Sequence, residues 1–202
     1  MLQTIAGTRR RATLLATFAV AVAAASAYAV TNPGAAASGG RHAEVLRVDV
    51  AEDFTRFSFA PSPVDADGQP AYGNAFVTQG YIYPEGTLDG ADGVLEDGRP
   101  QFPDKVLGEW TCRGFFVGNG AKTTKGPWVV TSQLFKLDKR FGRSTLTTEG
   151  YELPEVGVPI ARAITGGTGR FGTARGEQTQ RMLGFGTGDG VKLRMTLDVQ
   201  KR

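Results

Sequence analysis

The sequence predicts an all-β protein, an eight-stranded antiparallel up-and-down barrel. Three observations lead there. From residue 44 onward, eight extended runs are separated by stretches rich in Gly, Pro, Asp and Asn. The last run alternates cleanly, with Val191, Leu193, Met195, Leu197 and Val199 on one face and Lys192, Arg194, Thr196, Asp198 and Gln200 on the other. No stretch beyond residue 44 has an apolar stripe at helical spacing. A closed barrel removes exposed sheet edges, and eight strands make a lumen that side chains fill or that holds one small ligand. A two-sheet sandwich is the alternative architecture.

The first strand is expected at Val45–Val50, continuing with a bend through Phe54–Phe59. Pro61, Pro63, Asp65, Asp67, Gly68 and Pro70 then mark a long loop. The second strand spans Ala75–Tyr83. Residues 84–103 form another loop, whose Asp and Gly content lacks the spacing of a calcium loop and reads as solvated. Strands follow at Val106–Val117, Trp128–Leu137, Ser144–Tyr151, Val158–Thr165, Thr173–Leu183 and Val191–Gln200.

Between the sixth and seventh strands, Gly166, Gly167, Thr168 and Gly169 predict a tight reversal, because glycine tolerates positive φ. The same stretch contains a literal G-x-G-x-x-G, Gly167 to Gly172. That fingerprint binds dinucleotides only between a strand and a helix. Here the residues after Gly172 carry no helical pattern, so nucleotide binding is rejected.

The N-terminus reads as an export signal covering residues 1–29. Arg9, Arg10 and Arg11 precede an alanine-rich apolar run, and Ala27-Tyr28-Ala29 resembles a cleavage site. The run is too short for a good anchor, so stable membrane insertion is not expected. Either the general secretory or the twin-arginine route fits, and the protein is expected outside the cell. Residues 30–43 read as a flexible spacer, leaving 44–202 as the barrel domain.

The chain has 23 Lys and Arg against 20 Asp and Glu, a formal charge of +3. The three signal arginines account for that excess, so the remainder is neutral and gives no reason to expect nucleic acid as a partner. There is one cysteine, Cys112, and one histidine, His42 in the spacer. Neither a His-based triad, a Cys-His dyad nor a zinc site can be assembled from these. No cofactor is expected.

Two patterns carry a resemblance. The segment Ala163-Ile-Thr-Gly-Gly-Thr-Gly-Arg-Phe-Gly-Thr-Ala-Arg-Gly176 resembles the VGGTGxF…ARG segment of plant dirigent proteins and the AVTGGSGxFxGxxG segment of allene oxide cyclases. Upstream, Leu134 to Asp138 and Gly142 to Gly150 resemble the strand pair that precedes it in both families. The resemblance implies an eight-stranded barrel that holds an apolar small molecule and steers its cyclisation or coupling. It also points to a homo-oligomer.

Carried over by position, Arg175 matches the pocket arginine of the dirigent segment, and Asp49 falls in the first strand, where both families place a pocket acid. These are the expected catalytic residues. For each, a solvent-facing strand position is the alternative. The asparagine that allene oxide cyclases carry near this acid is missing from Asp49-Val50-Ala51, which speaks against that particular reaction. Tyr81, Tyr83 and Cys112 are the expected ligand contacts. The tyrosines share a strand face and suit the polar end of an apolar pocket. Cys112 lies in the strand where allene oxide cyclases carry a cysteine, and its plain reading is a small buried hydrophobe.

Three functions stay open: a cyclase or isomerase working without a covalent intermediate, a non-catalytic carrier, and a structural module with a filled lumen. A pocket with two or more inward charged residues would favour the first, a purely apolar pocket the second, and no cavity the third.

Overall fold

The computed structural model describes residues 42–201. The segment read as an export signal, and most of the expected spacer, lie outside the described residues. Within them, eight strands run in sequence order around a closed barrel, every neighbouring pair antiparallel. The strands are β1 (His42–Phe59), β2 (Ala75–Pro84), β3 (Gly108–Phe116), β4 (Val129–Leu137), β5 (Thr145–Glu152), β6 (Ile160–Thr168), β7 (Arg175–Phe185) and β8 (Val191–Lys201). The barrel closes where β1 pairs with β8, from His42 opposite Lys201 to Ala51 opposite Lys192. β1 thus starts within the stretch read as spacer, and a register shift between Asp53 and Ser58 supplies its expected bend.

Strand parity decides what enters the barrel. The alternating set of β8 goes inside: Leu193, Met195, Leu197 and Val199 are buried in one cluster with Val48, Val50, Ile82, Trp110, Phe135 and Leu146. At the end that carries the β4–β5 and β6–β7 turns, Phe171 and Ala174 close this cluster as a plug. The opposite end receives the β1–β2, β3–β4, β5–β6 and β7–β8 connections.

The long β2–β3 segment is not a solvated loop. It lies over the outer face, where Leu88 and Val94 form a second core with Ala51 and Tyr83, flanked by Phe102 and Val106. Inside it, Val94 and Pro100 bridge a miniature hairpin. A second one joins Val64 and Pro70 in the β1–β2 connection. Both read V-x-x-D-G-x-P, and Gly68 and Gly98 take positive φ in them (76° and 81°).

The glycine-rich reversal differs from expectation. β6 continues through Gly166, Gly167 and Thr168, and the turn is a short 3-10 segment at Gly169–Phe171. Gly167 is needed for close approach rather than for turning: a Cβ there would lie 2.3 Å from the Thr145 carbonyl oxygen and 2.9 Å from Phe171. The G-x-G-x-x-G therefore sits between antiparallel strands. Gly167→Ala should lower unfolding stability by about 1–3 kcal/mol, since backbone must shift to admit one methyl. Urea denaturation of the two proteins measures it.

Candidate functional site

Beyond the apolar plug, the barrel interior turns polar. Gln133 on β4, Glu152 on β5, Arg162 on β6 and Gln178 and Gln180 on β7 all point inward with the parity of apolar neighbours on their strands. All are buried. Arg162, for example, falls between the inward Ile160 and Ile164.

Glu152 is the hub. Its Oε1 accepts from the Thr131 hydroxyl at 2.7 Å, the Gln133 amide at 3.1 Å and the Cys112 thiol at 3.6 Å. Its Oε2 accepts from the Gln180 amide at 3.0 Å. The Arg162 guanidinium lies 3.6 Å from Oε1, with no solvent exposure of its side chain. Arg162 also donates to the Tyr151 carbonyl at 3.1 Å and the Thr131 carbonyl at 3.0 Å. Room for it comes from Gly150 on the neighbouring strand, where a Cβ would stand 3.0 Å from the arginine Cγ. The Gln178 amide donates to Gln133 at 3.0 Å and Gln180 at 2.9 Å, tying β4 to β7 across the lumen.

Several inward polar atoms have no partner in the protein. Among the described residues they are the Trp110 indole Nε1, Gln178 Oε1 and Arg162 Nε. A buried polar atom without a partner costs about 1–3 kcal/mol. Such atoms in one interior call for a partner, and a water or a polar group of a ligand would supply one.

Glu52 adds a second inward carboxylate. It follows Val48 and Val50 in parity, pairs with Gly80 of β2, and accepts the Val191 N–H at 2.7 Å. Burial is the main cause that pushes its carboxyl from 4.5 up to about 7, opposed by hydrogen bonds from the Thr78 hydroxyl and the Val191 N–H and reinforced by the negative charges of Glu152 and Asp53. Cys112 responds to the same surroundings: burial first, then the Glu152 carboxylate, raises its thiol well above the usual range. It is a poor nucleophile.

The structure does not bring together the five residues singled out from the sequence. Asp49, expected in the lumen, lies on the outer face, because Val48 and Val50 hold the inward parity. It is nonetheless buried, capping the Leu88 N–H at 3.0 Å and accepting both Arg194 Nε (2.7 Å) and Nη2 (3.0 Å). Arg194 extends the tie to Asp89 at 2.7 Å. This bidentate contact fastens the β2–β3 segment to the barrel wall.

Tyr81 and Tyr83 share that outer face. Their hydroxyls donate to the Gly98 and Gly93 carbonyls at 2.9 and 2.6 Å, so they anchor the same segment. Arg175 is exposed at the start of β7, opposite in parity to Gln178, and donates to the Ala174 carbonyl at 2.7 Å. Cys112 is the member of the set that faces the lumen. The interior residues carried a signal the sequence reading passed over: a polar residue occupying an apolar parity position.

No family profile matches the chain, and no curated protein does. Solved structures do. The pterocarpan synthase dirigent protein GePTS1 superposes with a TM-score of 0.60 at 15% identity, covering 80% of this chain and 86% of its own. The corresponding figures for the pterocarpan synthase dirigent protein PsPTS1 are 0.56 and 16%, with 78% and 94% covered. The chain has the dirigent-type barrel fold. At such identities the likeness concerns the fold alone.

Two outcomes follow from this geometry. Glu152→Ala leaves Arg162 buried without its counter-charge and should cost about 3–5 kcal/mol, read from denaturation midpoints. Glu52 makes stability depend on pH. Below about 4.5 its carboxyl is protonated in both folded and unfolded chains. Between 4.5 and 7 only the unfolded chain releases the proton, so stability falls over that window by about 3 kcal/mol. Glu52→Gln should remove that fall, checked by denaturation across the same pH range.

Proposed function

We propose that the chain is an exported barrel that receives an apolar small molecule at its polar layer and steers a cyclisation or isomerisation there, without covalent attachment. The observation that carries this reading is the inward Arg162–Glu152 pair beside Glu52, surrounded by polar atoms that lack protein partners. Inward charge of both signs is costly in a lumen meant only to be filled. It suits a site where charge develops on a bound molecule and fixed dipoles meet it.

The chemistry needs no nucleophile. Confinement in one conformer supplies part of the rate, since reacting atoms held in near-attack geometry do not search. Glu52, titrating at about 7, can hand over or take up one proton near neutral pH. Arg162 and the glutamine amides can hold a ligand carbonyl or hydroxyl, and the apolar plug bounds its carbon frame. Support also comes from the fold shared with two proteins described as pterocarpan synthases.

A carrier is the second reading, favoured by the degree to which neighbouring protein groups already satisfy Glu152 and Arg162. Native mass spectrometry and solvent extraction of the protein from its host's medium separate the two, followed by turnover of whatever is found. The expected result is a co-purifying apolar compound whose conversion drops at least about tenfold in Glu52→Gln while its binding persists. Binding without turnover in either protein makes it a carrier. An empty protein whose melting temperature ignores a panel of phenolics and oxylipins favours a filled lumen and a structural role.

A further inference from the structure

The outer face of β3, β4 and β5 carries a pattern that the interior does not use. Register places Phe115, Val130 and Tyr151 in one cross-strand row, and Arg113, Ser132 and Glu149 in the next. The first row is apolar and exposed, at 57%, 48% and 42%. Ala75 and Val77 extend the two rows onto β2. A groove of about 420 Å³ runs along the face, with Arg113 and Glu149 among its walls. Both charged residues are exposed, and among the described residues neither side chain has a hydrogen-bond or ion-pair partner in its own chain.

The arrangement is self-complementary. Arg113 and Glu149 stand one strand to either side of Ser132, about 10 Å apart across the sheet. A two-fold axis lying in the contact plane along β4 turns each copy's Arg113 toward Glu149 of the other, twice. The same rotation sets Phe115 over Tyr151 and Val130 over its own counterpart. A two-fold contact requires one patch to match itself in this way. A closed barrel offers no free strand edge, so two copies do not join by extending the sheet, and an outer face is open to them.

We propose that this face binds a second copy of the chain as a two-fold dimer, centred on Val130 and Ser132 and pinned by two Arg113–Glu149 pairs. The face carries one cation and one anion in register, which suits a copy of itself better than an anionic membrane. The face lies on the outer side of the wall whose inner side carries Thr131, Gln133 and Glu152, so its occupant meets the barrel from outside and not through the lumen.

Sedimentation velocity of the full chain in detergent-free buffer tests it, with circular dichroism to check each variant's fold. The expected result is a dimer that Arg113→Glu or Glu149→Arg each weakens by about tenfold or more, and that the double swap restores. Val130→Asp, which brings two carboxylates together on the axis, should also give a monomer. It serves where a charge variant fails to fold. A monomeric wild type, a ring of higher order, or a dimer indifferent to the swap overturns the proposal. So does a monomer that floats with phosphatidylcholine vesicles, which would assign the face to lipid.

Discussion

Closure of the sheet by β1 against β8 is the constraint on which the rest depends. Once the edges meet, every residue of every strand faces either the lumen or the outside, and two-residue periodicity admits no third choice. Apolar residues at one parity then commit the whole strand. Val48 and Val50 send Asp49 outward, and Ile160 and Ile164 send Arg162 inward. The second case is costly, because a guanidinium surrounded by sheet cannot reach bulk water.

The structure answers that cost with a network rather than a single pair. Glu152 receives hydroxyl, amide and thiol donors on its two oxygens, and Arg162 spends further donors on backbone carbonyls of β4 and β5. Linked hydrogen bonds of this kind strengthen one another in a low-dielectric interior. The same dielectric raises Glu52, which among the described residues has no arginine paired with it. One physical setting thus produces both a fixed ion pair and a carboxyl poised near neutrality.

Much of this was legible in the residues. The eight strands sit within a few residues of their expected positions, because alternation and Gly/Pro punctuation are local signals. The resemblance around Gly166–Gly172 pointed to the right barrel type. Its positional carry-over was less informative: Arg175 is exposed, and Asp49 serves the β2–β3 segment. That segment was itself misread, since Leu88 and Val94 look like isolated apolar residues in a polar loop until Tyr83 and Ala51 are placed beneath them. Glycine composition also suggested a reversal at Gly166–Gly169, whereas contact with Thr145 and Phe171 keeps Gly167 in the strand.

By itself, the sequence determined the strand count, the clean alternation of β8 and the scarcity of histidine and cysteine, one of each, for these follow from composition and from neighbours along the chain. The tertiary structure decided which parity faces the lumen near each mouth, that Glu152 of β5 meets Thr131 and Gln133 of β4 and Gln180 of β7, and that Asp49 meets Arg194. Those partners are far apart in sequence. Their meeting depends on register and barrel closure, which no local pattern encodes.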